Sequence, residues 1–224
     1  MNGMAGRITE WVRPHVPEAS DGILTSAGIC EGFAGAGVGT KVLVFAGFAG
    51  LLAGTLAASA VQYSETGAER DQQVAHLTTQ QVQLATAPDA ELDELTNMYV
   101  SRGLSRRLAR QVAIELTAHD ALAAHAEAEH GITPASMASP VRDALAVGTA
   151  FMAGAVLPWL AIILIPGAPR AALTFVIVLL ALALTGWISA QISDVHPARP
   201  IVRTAAIGVL SMTITYAAGY LFHP

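Results

Sequence analysis

The feature that most constrains this chain is a set of long stretches that contain no Lys, Arg, Asp or Glu. A transmembrane helix needs about 20 consecutive apolar residues to cross ~30 Å of hydrocarbon, and four stretches reach that length. Charged residues make up only 13% of the chain, about half the share typical of soluble domains. A soluble protein could not cover four such helices with so little polar surface. The four stretches are residues 42–64, 144–169, 171–193 and 204–224.

A fifth apolar window, residues 22–38, is shorter and contains one acid, Glu31. Together the windows predict an all-α membrane protein with five transmembrane helices. The polar segment after the second window predicts a cytoplasmic insert of three helices between spans 2 and 3. The predicted domains are a cytoplasmic N-terminal segment at 1–20, transmembrane helices 1 and 2 at 21–63, the insert at 64–143, and transmembrane helices 3 to 5 at 144–224.

The distribution of Lys and Arg predicts the orientation, because short loops rich in these residues stay in the cytoplasm. With five spans, Lys41 and Arg170 fall on one side of the membrane and ten arginines fall on the other. The pattern predicts a multi-pass protein of the cell membrane with its N-terminus in the cytoplasm. The ten arginines are Arg7, Arg13, Arg70, Arg102, Arg106, Arg107, Arg110, Arg142, Arg199 and Arg203.

Helix start and stop signals divide the insert into three helices. The second span continues without a breaker as one long helix that ends before Pro88. A second helix is predicted from an N-cap at Asp89 to Gly103, and a third from an N-cap at Ser105 to Gly131. The apolar residues predicted to form the buried face of the third helix are Leu108, Val112 and Leu116.

The insert is acidic and carries carboxylates and imidazoles at helical spacing. It holds twelve acids against six arginines, a net charge of −6, which attracts cations and repels nucleic acid. Glu91 and Glu94 are three residues apart, and His125 and Glu129 are four apart, so each pair shares a helix face. Such ligands suit iron, manganese or zinc. The alternative is an ordinary solvated surface, and it applies equally to the pairs Glu115 with His119 and Glu127 with His130.

Two acids, Asp21 and Glu31, fall in or near the first membrane window. A charged group at the centre of a bilayer costs from ~3 to more than 10 kcal/mol, so an acid there indicates function. Glu31 lies ten residues beyond Asp21, roughly 15 Å further along a helix, and is predicted to be a membrane site for an ion or a proton. The alternatives are a helix N-cap for Asp21 and a permanently protonated, hydrogen-bonded carboxyl for Glu31.

Six segments together resemble the vacuolar iron transporter family, whose members move ferrous iron and manganese. The order of five spans with a helical insert after the second also matches that family. The resemblance covers most of the chain from Asp21 onward. The segments are DGILTSAG at Asp21, GFAGLLAG at Gly47, ELDELTNMYVSRGLSRRLARQVAIEL at Glu91, HDALAAHAEAEHGI at His119, ALAVGTAFMAGAVLPWL at Ala144 and LTGWISAQ in the fourth span.

The resemblance implies a homodimer with a pore between subunits, metal–proton exchange, and an insert that collects metal through glutamates. The family's membrane aspartate falls on Asp21, and its insert glutamates fall on Glu91 and Glu94, with Glu69 and Glu129 as further matches. The chain departs from the family where the second span usually ends in a methionine and a Gly-Glu pair. Those positions are Ala58, Val61 and Gln62, and glutamines (Gln72, Gln73, Gln80 and Gln81) replace glutamates on the first insert helix.

The predicted function is therefore a divalent-metal transporter that exports ferrous iron or manganese from the cytoplasm, by proton antiport through a pore at a dimer interface. It is not predicted to be an enzyme, and no cofactor or nucleic acid is expected. The alternatives are a non-transporting membrane protein whose insert binds metal or a partner, and a membrane-bound di-iron oxidase suggested by Glu127 and His130. The candidate metal residues are Asp21, Glu31, Glu69, Glu91, Glu94, His125 and Glu129.

Overall fold

A computed structural model describes residues 15–133, 135–167 and 169–222 of the chain, and these residues form seven α-helices and no strand. Of the first predicted domain, residues 1–20, the part from 1 to 14 lies outside the described residues. The first helix begins at Val16. The helices are α1 (Val16–Gly35), α2 (Thr40–Thr86), α3 (Pro88–Ser101), α4 (Arg106–His130), α5 (Pro140–Leu164), α6 (Arg170–Ser193) and α7 (Ala198–Leu221).

Four of the described helices, α2, α5, α6 and α7, are long and apolar enough to cross a membrane. Each contains at least 18 residues with few charges, as expected of a multi-pass membrane protein. Helix α1 is 20 residues long but is not in this group, since Glu18, Asp21 and Glu31 fall along its length.

The chain divides into two compact units, and the boundary falls inside α2. Residues 63–141 form one unit, called here the insert unit, close to the predicted insert at 64–143. The remaining described residues form the other, called here the apolar unit. Because α2 is 47 residues long, it contributes its apolar half to one unit and its polar half to the other.

The apolar unit is held together by helices that approach at glycines. Helix α1 packs against α6 and α7, which also pack against each other. A methyl group added at Gly22 would collide with the backbone of Phe151 on α5, and one at Gly219 would collide with the carbonyl of Gly32. Small residues let membrane helices come this close. A buried apolar cluster then joins α1, α6 and α7 through Ile23, Ala27, Val178, Leu182 and Met212.

The insert unit has a smaller core, formed where α3 packs on α4. Its centre consists of Leu95, Ala113 and Ala128, with Leu92 and Tyr99 packed around them. On α3 the apolar residues Leu92, Leu95 and Tyr99 together form the stripe that faces α4. The predicted buried face of α4 is wrong for Leu108, which is 49% exposed, because the close approach of α3 buries the small residues Ala109 and Ala113 instead.

The predicted helix ends of the insert are confirmed in most cases. The Ser105 side chain accepts a hydrogen bond from the Leu108 amide and caps α4, and Gly131 ends α4 in the left-handed conformation at φ 64°. The predicted N-cap at Asp89 is wrong, because α3 already begins at Pro88. Proline favours the first helical position, since its fixed φ suits the helix and its missing N–H has no intrahelical partner there.

Candidate metal centre

Three side chains of the insert unit converge on one point. The carboxyls of Glu91 on α3 and Glu129 on α4 meet the imidazole of His125, and one ligand atom of each lies within 4.8 Å of the others. The Nδ1 atom of His125 is 3.4 Å from Glu129 Oε1 and 3.8 Å from Glu91 Oε2. His125 and Glu91 are buried and the Glu129 side chain is 20% exposed. The group is therefore enclosed, with Glu129 nearest to solvent.

A break in α4 orients the segment that carries two of these ligands. Asp120 has an extended backbone (φ −160°, ψ 97°) inside the helix, and its Oδ1 accepts a hydrogen bond from the Ala123 amide. Asp120 therefore acts as an N-cap for the last part of α4. That part can take its own direction, so His125 and Glu129 point at α3 independently of the first half of the helix.

Glu91 is held by a side chain from α2. The Gln80 amide nitrogen donates a 2.6 Å hydrogen bond to Glu91 Oε2, and both residues are buried. The Nε2 atom of His125 is also buried, and it has no hydrogen-bond partner. The nitrogen that faces the two carboxylates is Nδ1, so Nε2 lies on the other side of the ring from Glu91 and Glu129.

The donor set determines which ions the group can hold. Two carboxylates supply two negative charges, which match a divalent cation, and one imidazole nitrogen favours transition metals over magnesium and calcium. No thiol contributes, because the single cysteine, Cys30, lies on α1 in the apolar unit. The arrangement suits ferrous iron, manganese or zinc.

The other acids predicted for the insert site lie elsewhere. Glu94 is exposed in a shallow depression that it shares with Asp93 and Asn97. Glu69 is exposed on α2, where its Oε1 accepts a 3.4 Å hydrogen bond from Gln73. The structure thus places Glu91, His125 and Glu129 together and leaves Glu94 and Glu69 outside that group.

The two acids of α1 that were predicted as site residues, Asp21 and Glu31, lie on different faces of the helix. Asp21 is exposed and lies on the same face of α1 as Thr25, Gly28 and Gly32. Those three residues line a groove of about 600 Å³ between α1 and α7. Glu31 is only 2% exposed, and its Oε1 has no hydrogen-bond partner. It continues the stripe of Ile23 and Ala27, which packs toward α6.

A threonine on α6 lies at the level of Glu31. Thr174, Val178 and Leu182 follow one another at four-residue spacing and are all fully buried. Val178 and Leu182 pack against the stripe of α1 that leads to Glu31, and Thr174 extends their stripe by one turn. The Oγ1 atom of Thr174 is also buried without a partner.

Contacts with α7 establish this level independently. Gly208 of α7 lies against Leu182, while Thr215, two turns further along α7, lies against Gly28 and Gly32 of α1. Because α6 runs antiparallel to α7, two turns beyond Leu182 toward the start of α6 lead to Thr174. Thr174 and Glu31 therefore occupy the same layer of the apolar unit.

Sequence reasoning missed Gln80 and Thr174. Gln80 is one of five glutamines between residues 72 and 83, and Gln81 beside it is exposed. Periodicity alone does not show which glutamine faces the neighbouring helices. Thr174 lies in a charge-free apolar window, where nothing in the sequence distinguishes it from the other residues of a transmembrane helix. Only the packing of α6 against α1 places it in the same layer as Glu31.

The chain is similar to known proteins over most of its length. Residues 12–220 match the model of the VIT family. A vacuolar iron transporter of Acanthamoeba castellanii is 31% identical over 94% of this chain and 78% of its own length. Vacuolar iron transporter 1 of Tulipa gesneriana is 26% identical over 93% of this chain and 86% of its own length. Vacuolar iron transporter 1 of Arabidopsis thaliana is 23% identical over 92% of this chain and 84% of its own length. The chain belongs to the VIT family.

Proposed function

We propose that this protein transports divalent iron or manganese across a membrane and that its insert captures the ion at Glu91, His125 and Glu129. The observation that carries the proposal is the convergence of these three side chains within 4.8 Å, two of them buried. The relatives named as vacuolar iron transporters support iron as one cargo. Charge supports a divalent ion, since two carboxylates and a neutral imidazole are balanced by a charge of +2.

The proposed coupling ion is the proton, and Glu31 is its proposed site. A divalent ion needs several ligands and two compensating charges, whereas Glu31 and Thr174 offer one carboxyl and one hydroxyl. A single proton needs only one ligand atom and one compensating charge, which this carboxyl provides. The buried, unpartnered Oε1 of Glu31 and Oγ1 of Thr174 favour a role in binding over a satisfied structural hydrogen bond.

The groove beside Asp21 is the proposed path for the metal, and a second copy of the chain is its proposed cover. In this arrangement α1 spans the membrane as the first of five helices. An exposed acid facing lipid is costly, so Asp21 requires a polar partner or a hydrated path at that face. Two copies of α1 facing each other would bring two Asp21 carboxylates to one pore, and their charge again matches a divalent ion. Glycines along the groove leave room for the ion.

The proposed orientation places the N-terminus and the insert in the cytoplasm, so that transport removes metal from it. Gly39, in the loop between α1 and α2, has no heavy atom near its missing side chain and tolerates cysteine. In a Cys30→Ser background, an impermeant thiol reagent added to intact cells is expected to label Gly39→Cys and leave Gln81→Cys unlabelled. Labelling of Gln81→Cys alone would reverse the orientation.

Transport itself is tested in proteoliposomes. Uptake of manganese and ferrous iron is measured with and without a pH gradient, and uptake that requires the gradient is expected. Vesicles that bind metal but accumulate none would favour the non-transporting alternative. Oxygen consumption with ferrous iron in detergent would instead indicate the oxidase.

A further inference from the structure

The insert's metal group contains one polar side chain that carries no charge. Gln80 is 4% exposed and its amide donates a 2.6 Å hydrogen bond to Glu91. The four other glutamines of this part of α2 (Gln72, Gln73, Gln81 and Gln83) are exposed or half-buried. Gln80 is thus the one glutamine of this stretch that is enclosed with the metal group.

The charge of an enclosed site must match the charge of its ion. Burying an uncompensated charge is costly, and the cost falls when neighbouring groups cancel it. Glu91 and Glu129 contribute −2, and the amide of Gln80 and the neutral imidazole of His125 add nothing. A divalent ion therefore leaves the site neutral, whereas a trivalent ion leaves one positive charge inside it.

Other polar groups border the site. His130 contacts the second oxygen of Glu129 at 3.4 Å and stacks on His76 with ring centroids 4.0 Å apart. Arg110 pairs with Asp93, and both are exposed, so this pair cancels itself at the surface.

We propose that Gln80 is a specificity-determining residue that sets the insert site for divalent ions and against trivalent ones. For iron, it makes the site one for the ferrous state. The amide performs two tasks: it holds the Glu91 carboxylate in place, and it occupies with a neutral group a position from which a carboxylate would add a third negative charge. This inference rests on the proposed metal site.

Gln80→Glu tests the charge argument, because it changes the charge with little change in size. Binding of Mn²⁺ and Tb³⁺ to the full chain in detergent is measured by calorimetry and by terbium luminescence at pH 7. In Gln80→Glu we expect the preference for Tb³⁺ over Mn²⁺ to increase about tenfold or more, because one extra charge close to the ion acts more strongly on a trivalent cation.

Gln81→Glu is the matched control, since it adds the same charge one residue away on an exposed position. It should leave the ratio of the two affinities within about twofold of the wild type, because exposed charges are screened. A ratio unchanged in Gln80→Glu, or changed equally in Gln81→Glu, would overturn the inference.

Gln80→Met separates charge from positioning if the glutamate variant folds poorly. It keeps the volume and neutrality of glutamine but loses the hydrogen bond to Glu91. Both affinities should fall together with their ratio unchanged, and a large shift in that ratio would contradict the charge argument. If Glu91→Gln binds Mn²⁺ as tightly as the wild type does, the proposed site itself would be refuted.

Discussion

The apolar unit and the insert unit surround their buried acids in different ways. In the insert, Glu91 receives a hydrogen bond from Gln80 and lies 3.8 Å from the Nδ1 atom of His125, although the Nε2 atom of that ring has no partner. In the apolar unit, Glu31 and Thr174 each keep a buried oxygen without a partner. The insert is thus arranged to hold a cation among several preset ligands. The apolar unit keeps a single acid in a layer otherwise formed by close helix packing.

The comparison predicts its largest effect at Glu91. Glu91→Gln removes a charged ligand and is expected to weaken Mn²⁺ binding by at least about 100-fold, since even neighbours of metal ligands often contribute 10- to 100-fold. Glu94→Gln is the matched control, being the same change three residues away on an exposed position, and should cost less than about threefold. Calorimetry on the full chain measures both. Equal losses would mean that the ion binds along the surface of α3.

Glycine substitutions compare how the two units are packed. Gly154→Ala in α5 places a methyl group against the backbone of Ala19, and it is expected to destabilise the apolar unit by about 1–3 kcal/mol. Gly67→Ala in the insert half of α2 meets no atom within 4 Å. It should stabilise by about 0.5–1 kcal/mol, because alanine is the better helix former. Thermal unfolding in detergent measures both, and a Gly154→Ala protein as stable as wild type would refute the close approach.

Glu31→Gln tests whether the acid of the apolar unit serves transport. The variant keeps size and hydrogen bonding but cannot release a proton. We expect transport in proteoliposomes to fall about tenfold and to lose its dependence on the pH gradient, in line with the loss of one proton-transferring group. Mn²⁺ binding at the insert should be unchanged. Wild-type transport with the usual pH response would make Glu31 structural.

The smallest effect is expected for the ion pair between Arg110 and Asp93, which joins α4 to α3. Both side chains are more than half exposed, so Arg110→Ala should cost less than about 1 kcal/mol. Chemical denaturation at low and high salt measures it. A loss well above that value would show that the pair contributes to the insert's core.

The sequence predicted the helices of both units well, because charge-free windows and capping residues act locally. The ends of α2 before Pro88 and of α4 at Ser105 and Gly131 follow from residues within one turn. The buried face of α4 followed only in part. Helical spacing indicated Leu108, Val112 and Leu116, but Leu108 is exposed, and the close approach of the neighbouring helix buries Ala109 and Ala113. That choice depends on tertiary packing.

The candidate site was predictable as a set of residue types and not as a geometry. Helical spacing paired Glu91 with Glu94, yet only Glu91 faces α4. His125 and Glu129 reach it because Asp120 breaks the helix between them and its first half. The contribution of Gln80 depends on how α2 packs against α3, which no local pattern of five glutamines reveals.

The central claim is that His125 binds the metal together with Glu91 and Glu129, and pulsed electron paramagnetic resonance on the full chain with one equivalent of Mn²⁺ tests it most directly. The nitrogen nucleus of a coordinated imidazole couples to the manganese electron spin and gives a signal that carboxylates cannot give. The account predicts coupling to one histidine, lost in His125→Gln and kept in His119→Gln, where the exposed histidine lies outside the group. Manganese without nitrogen coupling, or coupling that persists in His125→Gln, would contradict the account.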